Sequence, residues 1–391
     1  MNKKVYVLAI AAFVVGTVEL ILGGILDLIA TDLHLTLAKA GYLISIFSLV
    51  YALSAPILLN MTARFERKKV YMCTLFVFLI SNLISAFSAN FYMLLAGRAL
   101  GAATGSLIFV LSLTLAARIV EPQYKGRAVG IITMGGSASL ILGVPIGIFV
   151  GNLAGWREVF MLIAILTAVV MVAIGIAMDR VQPIPAVSLK KQLTALWNPK
   201  MLAIHVTTLL VLAGHLTLYA YFTPFLQEAL GASSTMVTFI YMMFGIAAVA
   251  GGGIGGILSD RLHPAKAIII VLIPFIISMA VIPFSTGLPL ISFLILLSIW
   301  SALSWTVTPV QNSLIIKTSP ATAETLISTN SGIAHAGIAL GTYIGGVVID
   351  HSSIMYTGWV GSVLILMGLV SAFYAISRKE QTVHAAEKSL V

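Results

Sequence analysis

Of the chain's 391 residues, 60% are hydrophobic and only 9% are charged, and the mean hydropathy is +1.08. Soluble domains carry about 25% charged residues, which excludes a string of water-soluble domains and leaves an integral membrane protein. The net charge of +9 does not argue for a nucleic-acid partner, because the basic residues gather on one side of the topology that follows.

The first apolar run covers residues 5–30 and reads VYVLAIAAFVVGTVELILGGILDLIA. At about 1.5 Å per residue it crosses a hydrocarbon core of about 30 Å. It is too long for a signal peptide, contains Glu19 and lacks a small-residue cleavage site, so it is expected to stay as a helix. Similar runs follow at 41–62, 69–88, 92–118, 126–152 and 158–178, then at 201–227, 235–258, 265–285, 289–315, 325–349 and 356–377. Their length predicts helices, since barrel strands alternate over only about 10 residues. The expected fold is an all-α membrane protein of twelve transmembrane helices in two pseudo-symmetric six-helix bundles.

The longest polar stretch, 179–200, contains Pro183, Pro185, Lys190 and Lys191. It divides the chain into an N-terminal bundle (1–178), a cytoplasmic linker with a short amphipathic segment (179–200) and a C-terminal bundle with a short cytoplasmic tail (201–391). Of the lysines and arginines, only Lys39 and Arg157 fall on the opposite side, and Arg98 lies within a span. That bias predicts a multi-pass protein of the cell (inner, cytoplasmic) membrane with both termini in the cytoplasm. Cys73 is the only cysteine, so no intramolecular disulfide forms.

The halves echo each other. TARFERKK follows the second span and LSDRLHPAK the eighth, which is what the parallel repeats of a secondary transporter leave in sequence. Gly143, Gly147 and Gly151 in span five, five glycines between 251 and 256 in span eight, and Gly337, Gly341 and Gly345 in span eleven predict close helix packing.

These features resemble the major facilitator superfamily. Leu94-Leu-Ala-Gly-Arg98-Ala-Leu-Gly101 is similar to its fourth-span arginine motif, and LGVPIG around Gly143, Pro145 and Gly147 to the glycine-proline motif of its antiporters. Gly155-Trp156-Arg157 opens span six as in the twelve-span drug:proton antiporters. VELILGGIL, AGHLTLYAYFTPFL and LSWTVTPVQNSLIIK look like bacterial purine base/nucleoside and arabinose-like efflux permeases. In the loop after span two, Asn60 and Ala63 stand where the family usually has Gly and Asp, while Arg64, Arg67, Lys68 and Lys69 are kept. Asp260-Arg261 keeps the pair in the second copy, so the resemblance implies gating roles for Arg64, Arg67, Asp260, Arg261 and the span-five motif.

A carboxylate inside a bilayer costs several kcal/mol and marks function by default. Glu19 and Asp27 are eight positions apart, about 12 Å along one helix and ~80° around it, so both are expected to face one cavity. The depth of Arg98, about 10 Å below the outer boundary, falls between theirs. The expectation is a proton site at Glu19, with Asp27 as its outer partner and Arg98 biasing both; the structural alternative is an Asp27–Arg98 ion pair. His215 and Tyr219 share a face of span seven and suit a flat heteroaromatic ligand. Trp305 and Gln311 in span ten and Asn330 and His335 in span eleven complete the expected substrate set, each with packing as its plain alternative.

No phosphate-loop context and no metal-ligand spacing occur, so neither an enzyme nor a bound cofactor is expected, and the proton is the coupling ion. The function expected is a monomeric proton-coupled antiporter exporting purine bases, nucleosides or similar weakly polar molecules. Multidrug or sugar efflux, a proton-coupled importer and a non-transporting receptor are its rivals.

Overall fold

The computed structural model describes residues 3–183 and 198–378. Twelve of the described helices are long and apolar enough to cross a membrane. Capping side chains fix where several of them begin. Thr36 accepts from the Lys39 amide before span two (Leu37–Met61), Asn90 from Met93 before span four (Phe91–Arg118), and Ser233 from Met236 before span eight (Ser234–Arg261). Proline occupies the first turn of spans seven and nine, where a missing amide hydrogen costs nothing.

Three spans depart from a simple rod, all at the junction of the two bundles. Span one is helical over Lys3–Leu20, tightens to a 3₁₀ turn at Ile21–Gly24 and restarts as Leu26–Asp32. Span seven breaks likewise, from Pro199–Tyr219 to Phe222–Leu230, and Pro224 has no amide hydrogen to return to the Ala220 carbonyl. Span five carries a π-turn over Ser139–Gly143 between Lys125–Ala138 and Val144–Ala154. The sequence predicts one continuous helix for each of these; the glycine pair, the proline and the extra residue of the π-turn interrupt them.

Consecutive spans alternate in direction, so Lys3, the Arg64–Lys69 loop, Arg118, Lys125, Arg261 and Arg378 share one face, called here the basic face. Lys39 and Arg157 lie at the opposite, distal face. Glu66 ties the basic face of the first bundle together by accepting from the amides of Lys68, Lys69 and Val181. Desolvation opposes the Glu66 charge, but these amides and Lys69 hold its carboxyl below the ordinary range. Arg67 is buried and donates to the carbonyls of Thr62 and Ala63, so it caps span two. Lys4 pairs with Asp179. The expected amphipathic segment of the linker (184–197) and the C-terminal tail (379–391) lie outside the described residues.

The glycine rows pack helices within a bundle. A methyl group on Gly341 would lie 2.0 Å from the Ala213 carbonyl of span seven, and one on Gly251 would lie 2.0 Å from the Ala302 carbonyl of span ten. Between bundles, contact runs along the distal half. Gly41 of span two sits under the Tyr221 hydroxyl, Tyr42 stacks on Tyr343 at 6.1 Å, and Ser45 Oγ donates to the Ala339 carbonyl at 3.1 Å. Gly245 of span eight abuts Leu140 and Ile141 in the π-turn. Gly252 and Gly256 share the helix face of Gly245, yet a methyl group there would meet nothing within 4 Å, and the same holds for Gly130 in span five. The bundles are closed at the distal face and part toward the basic face.

Candidate functional site

Glu19 lies in the last helical turn before the break in span one. Its Oε1 is 3.2 Å from His335 Nε2 of span eleven, so the contact bridges the two bundles. Both side chains are mostly enclosed, His335 retaining 14% and Glu19 23% of their surface. The other ring nitrogen fixes the chemistry. His335 Nδ1 lies 2.9 Å from the Ser331 carbonyl, an acceptor only, so Nδ1 carries a hydrogen. A neutral ring then offers a bare Nε2, which closes the contact only with protonated Glu19. Ionised Glu19 requires an imidazolium. In either arrangement one proton sits between the bundles.

The pair rests on an aromatic column. His335 stacks on Tyr51 at 4.2 Å and 13°, and Tyr51 leans on Phe47 at 6.0 Å. The Arg98 guanidinium lies 4.0 Å over the same Phe47 ring and donates from Nη1 to the Val18 carbonyl at 2.9 Å. Arg98 is 1% exposed, and its Nε and Nη2 have no hydrogen-bond partner. Glu19 therefore stands between two basic groups, His335 across the seam and Arg98 in its own bundle.

The geometry departs from two expectations and adds to a third. Asp27 does not pair with Glu19: a 3₁₀ turn separates the two helices, and the Asp27 Oδ2 accepts from Gln227 Nε2 of span seven at 2.8 Å. The Asp27–Arg98 ion pair does not form. His335, placed in the substrate set by sequence, is the partner of Glu19. Asp27 faces a distal cleft of about 510 Å³ that Pro224 and Glu228 also line.

Gln311 and Asn330 are buried and bonded within the second bundle, which gives them packing roles in this state. Gln311 Nε2 donates to Thr208 Oγ1 at 3.1 Å, and Asn330 Oδ1 meets His205 Nδ1 at 2.9 Å. Trp305 is half-buried against the core. His215 and Tyr219 do stack, at 5.2 Å and 16°, inside a box of rings. In span five, methyl groups on Gly143 and Gly147 would strike Thr17 and Ile21, so with Pro145 they seat the span on the break in span one. Arg64, Asp260 and Arg261 are exposed at the parted basic face.

Sequence reasoning passed over Tyr51, Gln227 and Asp32. Asp32 Oδ2 accepts from Arg157 Nη1 at 2.7 Å and from Trp156 Nε1 at 3.2 Å, which explains the Gly-Trp-Arg turn as a distal clasp on span one. A carboxylate at the same face as that motif was the available signal. For Tyr51 and Gln227 no signal exists without the pairing of spans.

A two-bundle membrane fold with a protonatable pair on its seam defines the class, a small-molecule transporter. The Major Facilitator Superfamily model matches residues 8–333, and the chain belongs to that superfamily. It is 33% identical over 370 residues to the uncharacterized MFS-type transporter YbcL of Bacillus subtilis, covering 94% of each chain. It is 29% identical to a probable sugar efflux transporter of Mannheimia succiniciproducens, covering 95% of this chain and 93% of that one. Among solved structures, a bacterial homolog of the human lysosomal transporter Spinster superposes with a TM-score of 0.81 at 15% identity, over 95% and 96% of the two chains. The D-xylose-proton symporter gives 0.77 at 16%, over 96% and 97%. At those identities the structures share the fold alone.

Proposed function

We propose that the protein is a proton-coupled exporter of small, uncharged ring molecules, working as a monomer by alternating access. The observation that carries this reading is the Glu19–His335 contact, which spans the seam and holds only with a proton in it. With the basic face in the cytoplasm, the parted end is the inward opening. A proton taken up from outside closes the distal seam through this pair. Its release to the cytoplasm leaves a carboxylate opposite a neutral imidazole; the seam contact is lost, and the unpaired Arg98 nitrogens stand ready for the Glu19 charge. The bundles are then free to rock and carry substrate outward.

The substrate classes supported are sugars, from the names of relatives, and purine bases or nucleosides, from the resemblance of spans one, seven and ten. In inverted vesicles an imposed proton gradient should drive uptake of labelled arabinose or adenine, and Glu19→Gln should abolish it. Full gradient-driven uptake by that variant refutes proton coupling at this pair. Uptake only in right-side-out vesicles would make the protein an importer.

A further inference from the structure

We infer that His215, Tyr219 and Trp300 form the ring-recognition subsite of this transporter, a box that takes a neutral, hydrogen-bonding ring; this rests on the transport reading above. The three side chains come from spans seven and ten and touch one another. His215 lies 5.3 Å from Trp300 and Tyr219 lies 6.4 Å from it, centroid to centroid. Phe222 at 5.4 Å and Phe244 at 5.1 Å complete the enclosure around the indole. Trp300 is 0%, Tyr219 5% and His215 7% exposed.

Three polar atoms in this apolar box have no hydrogen-bond partner: His215 Nδ1, the Tyr219 hydroxyl and Trp300 Nε1. Each buried orphan costs roughly 1–3 kcal/mol, and at Tyr219 phenylalanine would fill the same space without that cost. Packing therefore does not account for three of them in contact. A ligand does, if it offers an acceptor to the indole N–H and further acceptors or donors to the phenol and imidazole. The ring faces supply stacking area for a sugar's C–H face or a heteroaromatic plane.

The rings in contact here bring no cation to the box, and the Asp27 carboxylate acts on Tyr241, whose ring lies 6.2 Å from that of Tyr219, so an anionic ligand would lose its hydration without a counter-ion. The groups present suit an uncharged ring with polar edges. The box also has a means of opening. Span seven is interrupted directly after Tyr219, and the helix that restarts carries Phe222, one of the walls. A change at that break moves Phe222 relative to His215 and Tyr219, which lie on the preceding helix.

The test measures equilibrium binding to the purified full chain, with labelled arabinose and labelled adenine as separate arms, beside the apo melting temperature. We expect saturable binding in at least one arm, weakened tenfold or more in Trp300→Phe and Tyr219→Phe, with the apo melting temperature of Tyr219→Phe unchanged or raised. The arm that binds identifies the ring as saccharide or purine-like. Tyr219→Phe deletes a single oxygen, which keeps the comparison usable if Trp300→Phe does not fold. Absence of binding in both arms overturns the inference, as does a dissociation constant within twofold of wild type in both variants. A lowered apo melting temperature with unchanged affinity would assign the three groups to structure alone. Binding needs no gradient, so a box that binds in a protein whose Glu19→Gln variant still transports fully would refute the coupling mechanism and leave the subsite standing.

Discussion

Glu19 and His335 lie 316 positions apart in the chain and 3.2 Å apart in the fold, one on each bundle. The groups facing them are Tyr51 from span two, Arg98 from span four and the Ser331 carbonyl of span eleven. Because the shared proton makes this contact, seam closure should depend on pH, and Glu19→Gln should remove the dependence. An amide donates to Nε2 whatever the pH, so the variant stays closed at the distal face. A cysteine at Ser45, in a Cys73→Ser background, reports on that face. Its labelling should rise with pH in the otherwise wild-type protein and stay low and flat with Glu19→Gln. Parallel pH profiles in the two would remove the proton from the seam.

Gly41 offers a route to the opposite state that bypasses the proton. A Cβ there would fall 2.0 Å from the Tyr221 hydroxyl, which is held in place by its donation to the Thr342 carbonyl at 2.8 Å. Gly41→Ala should wedge the distal seam open, increasing Ser45→Cys labelling at every pH. Adding Tyr221→Phe should restore part of the closure. Unchanged labelling in Gly41→Ala would mean that the seam yields elsewhere.

The twelve spans, their two-fold arrangement and the basic face were legible in the sequence because hydrocarbon thickness and charge bias act on composition alone. Glu19 stood out for the same reason, as a carboxylate in an apolar run. Its partner did not. Helical arithmetic pointed from Glu19 to Asp27, since it treated span one as one rod, and the tightened turn at Ile21–Gly24 invalidates that step. His335 becomes Glu19's neighbour only through the pairing of spans two and eleven, a contact between halves that no local pattern records. Gln311 and Asn330 were harder to read for a related reason. A polar residue in a span signals a hydrogen bond, but not whether the partner is a ligand or the next helix.

Glycine placement gives a stability contrast within one family of substitutions. Gly341→Ala drives a methyl group to 2.0 Å from a backbone carbonyl of span seven, where no side chain can rotate away. The expected loss is about 1–3 kcal/mol or more, the usual cost of overpacking. Gly252→Ala meets nothing within 4 Å. That change should leave stability within about 1 kcal/mol of wild type, on the stabilising side, because alanine favours the helix and restricts the unfolded chain. Melting temperatures in one detergent decide it; equal values for the two variants would contradict the close approach of spans seven and eleven.

The distal clasp should show its own acid limit. The hydrogen bond from Arg157, with a smaller contribution from Trp156, holds the Asp32 carboxyl below its ordinary 3.8. A folded value depressed below the unfolded one contributes stability that is fully present above 3.8 and is lost as pH falls through the folded value. Asp32→Asn, which has no charge to lose, should therefore melt below wild type at neutral pH. The two melting curves should converge as the solution is acidified past that range. Asp32 keeps 44% of its side-chain surface, so solvent screens the pair, and the gap at neutral pH should stay within about 1 kcal/mol and narrow in high salt. A gap that persists below pH 3, or one that salt leaves untouched, would show that Asp32 stabilises the turn by shape and neutral hydrogen bonding, without its charge.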